Sequence, residues 1–500
     1  MQYAPFLVII PLAAAFLILI TGKKIKASGG ILAVLAALGL VIASFGCASY
    51  TVSYKILVYK VGGWAPPFGI PIVIDNLSAF LLVTVNIAAF FIAVYSTSYV
   101  KKFTDTWKFF SLFSLMLAGI NGVLIAGDIF NLYVFLEIAA LAGYFLVAFG
   151  TGAGEIEAAF KYAVMGAVAS SFILLGIAFL YIHTATLNMA GMADIIAANE
   201  PSKVLAFVSV LFLMGFGLKA ALVPFHSWLP YAHSSAPAPV SAMLSGVSIK
   251  VLGIYALARI FFNVFGMTPA VLSILIALAV TSMVIGSLLA FGQTDIKRLF
   301  AYSSISQIGY IALGLGVATP LSILGALFHL FNHSIFKSLL FLNSGAIEEI
   351  AGTRDLTRMS GIIAKAPVTG YTNLVGALSI CGVPPLGGFW SKLIIILACI
   401  QAGRPALAFI AAAVSILTLA YYFRALTPAL FGRGGADRLY DSESKRLSWS
   451  MGMPMVVLAL LTAVSVLMLL PGAGLTFLKD ASAVLANGKD YAAIIAGVLK

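Results

Sequence analysis

The sequence predicts an all-α, polytopic membrane protein, and three observations carry that reading. Of its 500 residues 62% are hydrophobic and only 9% charged, a balance outside that of soluble domains. Apolar runs of about 20 residues, long enough to cross a bilayer as helices, recur along the whole chain. Runs such as residues 272–290 do not alternate between apolar and polar positions, which excludes a transmembrane β-barrel.

Taken in order, the runs place about 14 spans near residues 2–21, 30–53, 76–99, 107–126, 128–149, 158–183, 203–223, 238–262, 269–292, 299–317, 320–346, 367–402, 406–430 and 450–472. The first has no basic leader and no small-residue cleavage site, so it is expected to be a retained span. Between spans 2 and 3, residues 55–75 set β-prone pieces on either side of a Gly/Pro turn, which predicts a small hairpin on the outer surface. Span 7 runs into Pro224, and span 12 contains Pro384 and Pro385 followed by Gly387 and Gly388. Proline removes a backbone donor and clashes one turn back, so both spans are expected to break. Broken backbone at membrane depth is tolerated where it lines a buried or watered cavity. Residues 431–447 form the longest inner loop, polar and basic, and residues 479–500 are expected to form a short interfacial helix after span 14. The chain reads as one membrane domain, residues 1–500.

Lysine and arginine in the loops favour the side opposite the N-terminus by about two to one. Lys297 is counted there with the inner loops and Arg259 with the outer side. Both termini are therefore expected outside. The same bias accounts for the net charge of +12 without nucleic acid. Cys47, Cys381 and Cys399 form no CxxC pair, so neither a disulfide framework nor a metal or iron–sulfur site is expected. No cofactor is expected, and any electron transfer belongs to another subunit.

Five charges fall within apolar spans: Glu137, Lys219, Lys250, Lys337 and Lys392. Each costs about 2.5–3.5 kcal/mol at the bilayer centre on insertion scales. One acid and four bases in such positions predict a route for ions or protons. Glu137 has no acidic or basic neighbour within eight residues; desolvation favours its neutral form and a nearby ammonium its charged form. The plainer reading is a neutral acid hydrogen-bonded to a neighbouring helix. Lys219, between Gly215, Gly217 and Pro224, either pairs with Glu137 or snorkels to an interface. Lys250 follows the same logic.

His329, His333 and Lys337 recur every four residues and share one helix face. Imidazole both donates and accepts, which suits a proton wire. Metal or haem ligation lacks a carboxylate or thiolate to complete a shell, and a structural histidine pair is the remaining alternative. His226 and His233 follow the break in span 7 on the inner side. They are candidates for proton uptake, or else interfacial residues beside Trp228 and Tyr231. Asp128 and Asp295, at span ends, read as solvated caps.

The stretch LKAALVPFHSWLPYAHSSAPAPVSA, with HLFNHSIFKSLLFL and GVPPLGGFWSKL, resembles the proton-translocating antiporter family. That family comprises the large antiporter-like subunits of complex I, of Mrp cation/proton antiporters and of membrane-bound hydrogenases. GDIFNLYVFLEI around Glu137 is most similar to the Mrp D-type subunits and their counterparts in group 4 hydrogenases. The resemblance implies two inverted five-helix repeats, spans 4–8 and 9–13, with helices 7 and 12 broken. It divides the chain into residues 1–106, a first repeat 107–262, a second repeat 269–430, and a last span with tail, 450–500. By motif match Glu137 and Lys219 take the family's Glu–Lys pair and Lys250 the connecting lysine. His329, His333 and Lys337 take the central relay, and Lys392 the ionisable position of span 12. Tyr231 departs from the pattern, standing where many members carry an acid. The function implied is that of a proton-moving subunit of a multisubunit sodium/proton antiporter in a prokaryotic plasma membrane. The alternative is the ion-pumping subunit of a group 4 hydrogenase or complex I-like oxidoreductase.

Overall fold

A computed structural model describes residues 3–25, 27–66, 68–199, 202–432 and 447–499. Most of the loop expected at 431–447 therefore lies outside the described residues. Helices α1 (Phe6–Thr21) and α2 (Ser28–Tyr54) lead into an antiparallel hairpin of β1 (Ile56–Lys60) and β2 (Pro71–Asp75), where the Gly/Pro turn placed it. There follow α3 (Asn76–Tyr99), α4 (Thr106–Ile125), α5 (Ile129–Val147), α6 (Ala153–Thr184), a short α7 (Met189–Ala198), α8 (Lys203–Lys219) and α9 (Trp228–Ser235). The long α10 (Ala238–Phe265) is π-helical over Leu244–Tyr255 and Arg259–Phe265. The second half holds α11 (Pro269–Phe291), α12 (Ile296–Val317), α13 (Pro320–Ala351), α14 (Ile362–Lys365), α15 (Pro367–Cys381), α16 (Gly387–Gln401) and α17 (Pro405–Phe431). The chain finishes with α18 (Trp449–Val464), α19 (Ala473–Ala486) and α20 (Tyr491–Leu499).

Eleven helices among the described residues are long and apolar enough to cross a membrane. Three further expected spans fall on shorter pieces: α1, α8 and the pair α15/α16. The tail helix starts earlier than expected, at Ala473, and α7 was not anticipated.

Helix starts follow from local chemistry. Side chains of Asp75, Asp128, Ser202, Thr268 and Asp295 accept backbone N–H groups at the N-termini of α3, α5, α8, α11 and α12. Thr319 and Ser322 close a capping box on α13, with Pro320 at its first turn. Asp128 caps as expected but is not solvated: it is only 8% exposed.

Two helices form the dry centre. The apolar stretch of α10 is completely buried, which its lack of a polar face requires. At Gly253 a Cβ would stand 2.5 Å from the Ala220 Cα, so the glycine lets α10 touch the backbone just past α8. Seven residues earlier Gly246 meets Ser334 and Ser338 of α13 in the same way. In turn α13 packs against α3, α10, α12, α15, α16, α18 and α19. The two central helices thus bring the break after α8 next to the histidine-bearing helix.

Candidate functional site

Both expected breaks are present. The first separates α8 from α9 over residues 220–227 and contains Pro224; the second separates α15 from α16 over residues 382–386 and contains Pro384 and Pro385. An X–Pro cis peptide lies in each. A break leaves carbonyls without helical donors, and in a membrane these must be met by protein. At the first break the Trp228 indole N–H donates to the Leu218 carbonyl at 3.1 Å, and Ser282 accepts the Val223 N–H at 2.9 Å. Trp228 is itself stacked on Tyr162 with ring centroids 4.3 Å apart. At the second break the lysine does this work: Lys392 Nζ donates to the Ile380 carbonyl at 2.6 Å and lies 3.4 Å from Ser415 Oγ.

Lys219, the last residue of α8, meets Glu137. Its Nζ lies 3.3 Å from Glu137 Oε1, across α8 and α5. The same oxygen accepts a hydrogen bond from the Ser170 hydroxyl of α6. Lys219 is buried, whereas the Glu137 side chain is 25% exposed. Glu137 thus contacts side chains of two helices, α6 and α8, and Lys219 is turned into the protein rather than to an interface.

The other predicted residues lie deeper. Lys250, in the π-helical part of α10, is fully buried, and its Nζ has no hydrogen-bond partner among the described residues. Lys337 Nζ donates to the Phe300 carbonyl at 2.6 Å and to the Ser303 hydroxyl. His329 Nδ1 lies 2.8 Å from Ser391 Oγ, one residue before Lys392. The rings of His329 and His333 are 6.1 Å apart, and neither nitrogen of His333 has a partner among the described residues. His333 lies within electrostatic reach of Lys250, Lys337, His329 and Lys392, which joins these groups into one neighbourhood. Lysines here are met by neutral oxygens or by nothing, in contrast to Lys219.

His226 is half-buried in the first break. His233 is fully buried, stacked on Phe341 at 4.7 Å, and so does not sit in an interfacial belt. Tyr231, the departure from the family pattern, is exposed and holds the Lys161 ammonium 4.0 Å from its ring centroid. No group of three or more His, Cys, Asp or Glu side chains arranged to hold a metal occurs among the described residues.

Two cations counted with the solvated loops are buried. Arg259, counted on the outer side, is 2% exposed inside α10 and forms a two-pronged pair with Asp75. Lys297, counted in an inner loop, is buried and pairs with Glu348 at 3.3 Å. Both stand near helix ends, where a loop count treats every cation as solvated. For Asp75, burial pushes the carboxyl up, but the Arg259 charge and the hydrogen bonds of Arg259 and Ser78 outweigh it and leave it below the usual carboxylate range.

Residues 126–418 match the family described as NADH:quinone oxidoreductase/Mrp antiporter, TM. The chain is 40% identical over 376 residues to the N-type subunit of the NADH-quinone oxidoreductase of Desulforudis audaxviator, covering 74% of this chain and 75% of that one. It is 32% identical over 462 residues to the D-type subunit of the Na(+)/H(+) antiporter of Alkalihalophilus pseudofirmus, covering 92% and 93%. Among solved structures, a chain of the Mrp complex from Dietzia sp. DQ12-45-1b superposes with a TM-score of 0.90 at 27% identity, over 99% of this chain and 100% of that one. A chain of the membrane-bound sulfane sulfur reductase, an archaeal respiratory membrane complex, does so with a TM-score of 0.90 at 30% identity, over 99% of both.

Proposed function

The chain belongs to the NADH:quinone oxidoreductase/Mrp antiporter transmembrane family, and on that premise we propose that it is the proton-moving D-type subunit of a multisubunit sodium/proton antiporter. The observation that carries this reading is the Glu137–Lys219 pair at the tip of a broken helix. An ion pair favours both charged forms, so changing its length changes how tightly Lys219 holds its proton. From Lys219 protons pass through Lys250 to His333, His329 and Lys337, and leave past Lys392. His226 and His233 take them up on the α9 side. Fourteen spans with both termini outside make that side cytoplasmic, and spans 4–8 and 9–13 act as inverted repeats of a protein in a prokaryotic plasma membrane.

A carboxylate 25% exposed in a membrane helix is costly against lipid. Its exposure supports a neighbouring subunit covering the α5/α6 face, in keeping with relatives that are parts of larger assemblies. The test is Lys219→Ala in everted vesicles carrying the whole complex, followed with a ΔpH probe. Sodium-driven proton exchange is expected to vanish; undiminished exchange would sink the assignment.

A second reading has its own support. The 40% identity to a quinone oxidoreductase subunit and the likeness to a respiratory reductase fit an ion-pumping subunit of a redox complex. Copurification decides: iron–sulfur or hydrogenase subunits favour the redox complex, small antiporter subunits alone favour the first reading.

A further inference from the structure

Lys297, Glu348 and Arg354 on the α9 side stand outside the pathway just described, next to His233, which belongs to it. Lys297, the second residue of α12, is buried yet paired with Glu348 near the end of α13 at 3.3 Å, and it donates to the Ala236 carbonyl at 3.2 Å. The Glu348 side chain is 31% exposed. Behind it Arg354 stands 3.9 Å from Glu348 and 3.3 Å from Asp295, and is bonded to the Ser234 carbonyl. The cluster therefore has a wet acid, Glu348, in contact with a dry base, Lys297.

Within electrostatic reach of Lys297 lies His233, which is also in reach of Lys250 and Lys337. It is fully buried, and neither ring nitrogen has a hydrogen-bond partner among the described residues. Its ring stacks on Phe341, which in turn lies 5.8 Å from Lys337 Nζ. An imidazole with two idle buried nitrogens contributes little as a structural element, because each unmet group carries a desolvation cost. As a relay it has what a proton step needs, one nitrogen to accept and the other to donate.

We propose that Glu348, Lys297 and His233 form a proton intake leading from the α9 face to Lys337 without passing Lys219. The inference rests on the antiporter reading above. Glu348 takes one proton from the aqueous side and its ion pair with Lys297 is broken. The Lys297 ammonium gives a proton to one nitrogen of His233, and the Glu348 carboxyl then reprotonates the Lys297 amine. His233 releases a proton from its other nitrogen to neutral Lys337. One proton has moved from solvent to Lys337, Glu348 and Lys297 are restored, and His233 is neutral again. Arg354 keeps its charge throughout, since a guanidinium does not deprotonate.

Lys297→Arg separates a relay from a latch, because arginine keeps the pair with Glu348 but cannot release a proton. In the assembled complex, wild-type thermal stability is expected with exchange lowered about tenfold or more, less than the roughly 10²–10⁴-fold of a sole acid–base group because entry at His226 remains. Glu348→Gln, close in shape but unable to take up the proton, is expected to lower exchange similarly. Wild-type exchange in either variant overturns the intake. So does a loss of exchange that only tracks loss of assembly, which would make the cluster a structural latch. Lys219→Ala assayed alongside separates the two layers: exchange is expected to vanish there because the Glu137–Lys219 pair drives coupling whichever way protons enter, and normal exchange in it beside lowered exchange in Lys297→Arg would overturn the role of that pair while leaving the intake standing.

Discussion

Two acid–base pairs lie inside this protein and are built in opposite ways. Asp75 takes Arg259 Nη1 at 2.7 Å and Nη2 at 2.8 Å, with both side chains under a tenth exposed. The guanidinium is further held by Ser78 at 3.1 Å, Tyr255 at 3.3 Å and Asn263 at 3.1 Å, and the Tyr491 ring lies 5.3 Å from its centre. Glu137 and Lys219 share one contact of 3.3 Å, with Ser170 as the further ligand and a quarter of the acid exposed. The first pair ties the β2 end of the hairpin to α10 and is saturated with ligands. The second is loose and uses the cation that can lose its proton. A buried charge is therefore not by itself a transport residue. The type of cation and the number of fixed ligands separate a strut from a switch.

The sharpest test of that contrast is Lys219→Arg. It keeps the attraction to Glu137 and removes the proton that can leave, so assembly is expected to be normal while exchange in vesicles falls by about 10²-fold or more. Normal exchange would put both pairs in the same class. Next in size is Asp75→Asn, which leaves Arg259 buried without a counter-charge. Thermal or denaturant unfolding in detergent is expected to show a loss of about 3–5 kcal/mol, with exchange per assembled complex retained. Loss of exchange without loss of stability would make the strut part of the pathway.

The smallest effect is read in acid. Asp75 is held below its ordinary value when folded, so its pair stabilises the protein above the unfolded carboxylate value of about 3.9 and is lost as pH falls through the lower folded value. The contribution of the pair to melting temperature is therefore expected to be flat from neutral pH to about 4 and to decline below it. In Asp75→Asn this acid decline should shrink. An unchanged decline assigns it to other carboxylates.

Much of this was legible from local chemistry. Pro224, Pro384 and Pro385 break helices wherever they stand, so both interruptions could be placed without knowing their neighbours. Glu137, Lys219 and the face of His329, His333 and Lys337 stood out because apolar surroundings make any ionisable group conspicuous. His226 was read together with His233 because they are close in sequence, yet only His233 is turned into the core.

By itself the sequence determined the membrane class, the sites of the breaks, the hairpin and the ionisable groups that lie within spans, because hydropathy, proline and turn chemistry act within a few residues. Tertiary structure decided which charges meet. Glu137 and Lys219 are 82 residues apart, and Asp75 and Arg259 are 184 apart. Whether a cation near a helix end is solvated or buried depends on what packs over it, and for Arg259 and Lys297 the covering elements come from distant parts of the chain. Likewise only the fold shows that Lys219 reaches Glu137 on another helix, while Lys392 is bound to the break itself.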